Sequence, residues 1–357
     1  MRPTWRFISV VLPAMLLVVA GASWAADLPK DAEKLPPGKA VDAYLAVMED
    51  DTQTNARRNY AEMMIVRMGD PAVGRIIELY GHAGAERRGR LAKILAQIPK
   101  PSASTVAVLL DDLKKSGPGV DPYVVLALAD LKAAQASSLM LEILPRAPDG
   151  LRFVLLNALG RLADEKAADA LFEGLDSKDR LVRTVSADGL IRLLTDLRAK
   201  PIEGGKDSYH PLMKRVADYI ENGSSSESRR ILVAELGRVG DPDASGILRQ
   251  VARTCSGEIQ IAAVGSLATL KCADAVGDLV RLLRSKDPIL RHRTLEALAS
   301  IGKMSCVPDL VDMLEGSEPQ ERREVVEALR RLTNQPFGDN PAQWRLWWER
   351  EESGAER

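Results

Sequence analysis

The side chains best suited to chemistry are sparse in this sequence. Three histidines, His82, His210 and His292, lie far apart, and none is followed by a glutamate. Protein zinc and iron sites draw His, Cys, Asp and Glu ligands from fixed spacings, and none is present, so no metal ligand is expected. Cys255, Cys272 and Cys306 form neither a CxxC nor a CxxCH pair, which argues against thioredoxin-like redox work and covalent haem. There is no Walker A or dinucleotide-type glycine fingerprint, and no GxSxG or HExxH. Acidic residues are numerous, but without convergent spacing no pair is assigned as general acid and base. No catalytic residue and no cofactor is expected.

Two clusters are better suited to binding. Lys206, Tyr209, His210 and Lys214, with Arg215, fall within about ten residues. Cations beside an aromatic ring can receive an acidic partner or a carboxylate; the plainer alternative is a helix start with ordinary loop polarity. Trp344, Trp347 and Trp348 are spaced i, i+3, i+4 and share one helix face. They read either as an aromatic platform for a sugar or peptide, or as a cap closing the end of a core.

The elements that position these residues repeat. The last apolar residue of successive helical stripes falls at Ile65, Leu95, Leu128, Leu159, Leu190, Leu236, Leu267, Leu298 and Leu329, in steps of 30, 33, 31, 31, 46, 31, 31 and 31. A fixed period of this size marks a solenoid of helical hairpins. Other positions keep phase with these anchors. Twelve residues on come Ile77, Ala107, Met140, Leu171, Leu248, Leu279 and Leu310, expected in the core. One residue before come small residues, Ala127, Ala158, Gly189, Ser266, Ala297 and Ala328, where helices should approach closely. Eleven before come Thr54, Asp179, Ser225, Ser256 and Asp287, expected as N-caps. Seven before come Arg58, Arg88, Arg152, Arg183, Arg229, Arg291 and Arg322, with Asp121 and Gln260 as exceptions. An arginine needed once per repeat serves the repeat, by pairing with the caps or with carbonyls of the preceding helix, rather than a ligand.

The segments VRTVSADGLIRLL (182–194), SRRILVAELGRVGDPDASGIL (228–248) and PILRHRTLEALASIGKMSCVPDL (288–310) resemble HEAT repeats. They are similar to the short bacterial type of phycobilin-lyase-like and deoxyhypusine-hydroxylase-like proteins. The resemblance spans about residues 52–350 and implies an all-α solenoid of about nine antiparallel hairpins. HEAT-type di-iron hydroxylases present paired His-Glu steps as ligands, which this chain lacks. The ending LTNQPFG (332–338) followed by W-x-x-W resembles that of some bacterial exported HEAT proteins, with Asn334 where Gly is usual.

The period fails once. The stretch Asp196–His210 carries the extra length between Leu190 and Leu236, and its Pro201 and Gly204-Gly205 preclude a continuous helix. Insertions in a solenoid map to edge loops, often beside a binding face. At the N-terminus, Arg2 and Arg6, the apolar run Ile8–Ala20 and Ser23-Trp24-Ala25 form a signal peptide of residues 1–25, with cleavage after Ala25. An uncleaved anchor is the alternative, weakened by Pro13, Gly21 and Ser23. Residues 26–37 are expected as a flexible lead-in, 38–350 as the solenoid with its tryptophan cap at 333–350, and 351–357 as a tail.

Export implies a periplasmic or secreted protein in which an odd cysteine count leaves a thiol unpaired within the chain. Removal of residues 1–25 leaves 47 basic against 50 acidic residues, a net charge of about −3, which does not suit a phosphate backbone. The expected partners are therefore proteins, not nucleic acid. The function expected is a non-catalytic interaction scaffold or adaptor in the cell envelope. The alternative is a phycobilin-lyase-like enzyme or subunit binding a small flat ligand.

Overall fold

The computed structural model describes residues 32–100, 102–200, 207–240 and 242–355. The expected signal peptide and the first part of the lead-in lie outside the described residues. Among those residues the chain is all α-helix, turns and short 3₁₀ segments, with no strand. It divides into two compact units, Met1–Ala136 and Ser137–Arg357.

In the first unit a 3₁₀ turn at Ala32–Lys34, with Ala32 buried, packs on α1 (Pro37–Glu49). Part of the expected lead-in is therefore ordered. There follow α2 (Asn55–Met68), α3 (Asp70–Gly81), α4 (Ala85–Gln97), α5 (Ala103–Ser116) and α6 (Pro122–Asp130). Helices α2, α4 and α6 stack in one row, and α1, α3 and α5 in the other. The second unit opens within α7 (Ala136–Ile143) and continues with α8 (Asp149–Leu162), α9 (Ala168–Leu175), α10 (Arg180–Ala199), α11 (Tyr209–Asn222), α12 (Ser226–Leu236) and α13 (Pro242–Thr254). It ends with α14 (Gly257–Thr269), α15 (Val276–Leu282), α16 (Pro288–Ile301), α17 (Val307–Gly316), α18 (Pro319–Thr333) and α19 (Pro341–Ala355). Even-numbered helices from α8 to α18 stack in order, α11, α13 and α15 are successive neighbours in the other row, and α19 packs on α17. This is an all-α solenoid.

The sequence period explains the core. All nine anchors lie on the even-numbered helices and are at most 1% exposed. Twelve residues on, Met140, Leu171, Leu248, Leu279 and Leu310 are buried as expected, but Ala107 is exposed and Ile77 half-buried. Their places are taken by Leu109 and Ile76. One residue, Gly69 at φ +65°, joins α2 to α3, which starts α3 early and moves its buried position one residue back.

Four of the five expected N-caps accept hydrogen bonds from backbone N–H groups: Thr54 from Arg57, Asp179 from Leu181, Ser225 from Ser228, and Asp287 from Ile289 and Leu290. Ser256 does not. Gly257 follows it at φ +63°, outside the helical region that the first residue of a capped helix adopts. The small residues let the rows close. Ser266 donates to the Val233 carbonyl of α12 at 2.8 Å.

The arginine column serves the repeat. Helix C-termini leave carbonyls without partners, and the guanidinium of the next helix supplies donors. Arg152 donates to Ala147 at 3.4 Å, Arg183 to Ser177 at 2.8 Å and Lys178 at 2.9 Å, and Arg229 to Ile220 at 2.5 Å. Arg291 donates to Ser285 at 2.7 Å and Arg322 to Ser317 at 3.0 Å. Gln260, an exception by type, does the same to Ala252 at 2.8 Å. Five of the seven arginines thus take the carbonyl partner, Arg58 and Arg88 bond Asp51 and Asp112 instead, and the Asp caps stay with their own amides. Arg183 and Arg291 also bind Glu227 and Glu321, each in the first turn of the next even-numbered helix. The Arg183 hydrogen bond holds the Glu227 carboxyl below its usual range.

Candidate functional site

Helix α10 runs to Ala199, so the first residues of the stretch 196–210 continue a helix, and Arg198 donates to the Val239 carbonyl. Lys206 lies outside the described residues, as do its neighbours from Pro201. Asp207 then folds back on the start of α11, accepting from the amides of Tyr209 at 3.0 Å and His210 at 3.2 Å. Tyr209 is buried, with its ring edge-on to His210 at 5.2 Å between centroids. His210 is exposed between two carboxylates, its Nδ1 2.5 Å from Asp207 and its Nε2 3.2 Å from Asp243. Arg215 spans to Asp169 at 2.7 Å and covers the Phe172 ring at 4.4 Å, while Lys214 is exposed. Among the described residues of this cluster, His210 and Arg215 thus face acids of the chain itself. Leu193, Leu197, Pro211 and Leu212 line a shallow groove beside these residues.

At the far end of α11, Tyr219 donates to Asp176 at 2.6 Å and Ser224 donates to the same oxygen at 2.5 Å. Burial, the hydrogen bond to Asp176 and the charge of that carboxylate push the Tyr219 phenol up to about 12. A raised phenol favours the fold fully below its unfolded value near 10, and that contribution is lost as pH climbs through 12. The stability gap between the natural protein and Tyr219→Phe, about 1 kcal/mol at pH 8, should close as pH approaches 12. Urea unfolding at stepped pH measures it; parallel curves for the two proteins would refute the assignment.

The tryptophans do not share one environment. Trp344 is fully buried, donates to the Gly338 carbonyl at 2.8 Å and meets Phe337 edge-on at 5.1 Å. Trp347 and Trp348 are half-buried. A cap closing the core would bury all three, but only Trp344 is fully buried: i and i+3 or i+4 differ by up to 60° around a helix, and α19 rests one edge on α17. His292 is half-buried, with Nδ1 3.0 Å from Glu324 and Nε2 3.6 Å from Glu296. His82 is the exposed C-cap of α3. Among the described residues no group of three His, Cys, Asp or Glu is arranged to hold a metal, and no helix is long and apolar enough to cross a membrane.

All three thiols are free. Cys306 is buried and its thiol is pushed up to about 11, mainly by desolvation; Cys255 and Cys272 are half-buried. Because the thiolate is the nucleophile, iodoacetamide at pH 8 should label Cys255 and Cys272 at least about tenfold faster than Cys306. Peptide mass spectrometry over time reads this, and equal rates would contradict it.

One cluster escaped the sequence reading. Asp278 on α15 is 5% exposed and lies within 3.5 Å of Arg249 and Arg253 on α13 and of Arg281 on its own helix. The i, i+4 and i, i+3 spacings within each helix were legible; their convergence across two helices was not.

Comparison with known proteins follows the same lines. Residues 245–330 match the family described as HEAT repeats. A search of curated proteins finds no match. Among solved structures, Kap121p bound to Pho4p is 14% identical with a TM-score of 0.54, over 83% of this chain and 37% of that one. The karyopherin Kap121p bound to the SUMO protease Ulp1p gives the same identity, score and coverage. Human deoxyhypusine hydroxylase in complex with glycerol is 20% identical over 84% of this chain and 98% of that one, with a TM-score of 0.32. The chain thus spans little more than a third of the karyopherin it matches. It is an all-α solenoid similar to HEAT-repeat proteins, with its α13–α18 segment matching that family.

Proposed function

We propose that the chain is a non-catalytic protein-interaction scaffold or adaptor of the cell envelope. The observation that carries this reading is the division of labour along the repeat. Anchors, small residues, caps and the arginine column are consumed by the fold, while non-repeating side chains on the odd-numbered helices are left to solvent. A solenoid presents such side chains on an extended surface, which suits recognition of another chain. The partner-bound karyopherin structures, of similar fold, are consistent with it. The leader-like residues 1–25 support placement in the envelope.

The test is affinity purification of the tagged full-length protein from its source organism under native conditions, with mass spectrometry, on fractionated cells. Reproducible protein partners and a mature N-terminus at Ala26 in the envelope fraction are expected. Recovery of the protein alone, or a turnover assigned to it, would overturn the reading. The stretch 196–210 is proposed to influence partner choice. Deleting residues 201–206, which spares the Arg198 bond to Val239, should change the recovered set.

A further inference from the structure

The charged clusters of the second unit differ in how well they neutralise themselves. Arg345 on α19 reaches two carboxylates of α17, Asp312 at 3.0 Å and Glu315 at 2.6 Å. At α13 and α15 the ratio is reversed. Arg249 Nε donates to Asp278 Oδ2 at 2.9 Å, and Arg253 and Arg281 each stand 3.5 Å from Asp278 Oδ1. A carboxylate offers about four lone-pair directions, whereas each guanidinium carries five N–H donors, so one aspartate cannot satisfy three arginines. Asp274, exposed one turn before Asp278, is the other carboxylate whose charge reaches Arg249. With both counted, positive charge is still in excess, and Arg284, one turn beyond Arg281, is exposed as well.

The geometry also sets where the spare donors point. Asp278 lies at the base of the cluster and is buried, while the side chains of Arg253 and Arg281 are 46% and 74% exposed. The three heads are gathered from two helices on one fixed carboxylate, which reduces the ordering cost of binding a second anion above it. The planar fork of a guanidinium matches a carboxylate through two parallel hydrogen bonds. The surface is open rather than enclosed, which suits an extended segment better than a small molecule. On α11, the neighbour of α13, Asp218 and Glu221 carry the opposite sign and bound the patch on that side.

Resting on the scaffold reading above, we infer that Arg253 and Arg281, seated with Arg249 on the buried Asp278, receive the carboxylates of an acidic segment of a protein partner. This places acidic recognition on α13 and α15 rather than at His210, whose ring faces Asp207 and Asp243.

The test uses the full chain and a fluorescein-labelled, glutamate-rich synthetic peptide of about twelve residues, read by fluorescence anisotropy. The natural protein should bind saturably and lose affinity steeply with added salt. R253E/R281E should lose about tenfold or more, and R253K/R281K, which keeps charge but not the fork, should fall between. The control K114E/K115E reverses two exposed lysines on α5 and should stay within about twofold. Circular dichroism melts confirm that each variant folds, since Arg249 and Asp278 are untouched. No saturable binding, equal weakening by the control, or unchanged affinity in R253E/R281E would overturn the inference. Displacement of the peptide by inorganic phosphate but not by free glutamate would assign the cluster to phosphorylated ligands and overturn it too. The scaffold reading fails separately, if native purification recovers no partner while the peptide still binds.

Discussion

Replacing Asp112 with alanine is expected to lower stability by about 3 kcal/mol. Asp112 lies on α5, is 5% exposed and is the common acceptor of three donors. Tyr80 of α3 donates to Oδ2 at 2.5 Å, Arg88 of α4 to Oδ1 at 2.5 Å, and Ser116 to Oδ1 at 2.8 Å. Burial and the carboxylate itself drive the Tyr80 phenol well above its usual range, so the phenol remains a donor at any physiological pH. Alanine would leave a buried hydroxyl and a guanidinium without their acceptor, and the Arg88 Nε is already buried without a hydrogen bond. Removing one partner of such a network costs more than the network contributes as a whole. The Arg88 side chain is 31% exposed, and water there screens part of the penalty, which is why the lower end of the range is expected. Asp112→Asn keeps the shape and an acceptor and should lose roughly half as much. A double-mutant cycle with Tyr80→Phe, read by urea denaturation, should show coupling of about 1 kcal/mol between the two sites. A loss below about 1 kcal/mol for Asp112→Ala would mean that the three donors find water instead.

How far these features were legible in the sequence depends on the kind of contact. Ile65 and the eight leucines of the anchor column were readable because a solenoid core is built from neighbours at one fixed separation. The arginine column was readable for the same reason, since five of its seven guanidinium groups answer a carbonyl left open once per repeat, whereas Arg58 and Arg88 bond Asp51 and Asp112 instead. Asp112 was not: in AVLLDDLKKS (107–116) it resembles its exposed neighbour Asp111, and only the meeting of α3, α4 and α5 makes it an acceptor of three donors. The Asp278 cluster was hidden likewise, because Arg249 and Asp278 sit on different helices, 29 residues apart. Ser256 failed as a cap through the backbone angle of its successor, which no side-chain pattern reports. The tryptophan triplet was read as one face when the helix offers two environments within a single turn. For the candidate site, Tyr209, His210 and Lys214 fall in the first turns of α11, the plainer alternative to a binding cluster, and the acids that face His210 come from Asp207 and from α13. That second source lay beyond the local window.

The same glycine-to-alanine change should have opposite signs at Gly160 and Gly265. In an exposed helix interior alanine is favoured over glycine by about 1 kcal/mol, because glycine loses more backbone freedom on folding. At Gly265 of α14 an added methyl meets nothing within 4 Å, so Gly265→Ala should stabilise by about 0.5–1 kcal/mol. At Gly160 of α8 the same methyl would stand 2.6 Å from the Gly189 Cα of α10. The obstacle is backbone, not the end of a side chain, so relief requires the two helices to move apart. From the other side, a methyl on Gly189 would stand 3.0 Å from the Gly160 Cα and 2.9 Å from Leu171 Cδ2. Separation would open the layer holding Leu159 and Leu190, both fully buried, and overpacking of this kind costs about 1–3 kcal/mol or more. The steric term outweighs propensity, and Gly160→Ala should be destabilising by about 2 kcal/mol. Thermal melts of the two variants give the signs directly. If Gly160→Ala melts at or above the natural protein, the α8–α10 approach is looser than two facing glycines imply. Because adjacent repeats stabilise one another through their interfaces, a true loss there should also spread, lowering amide-exchange protection in α12 while α18 stays unchanged.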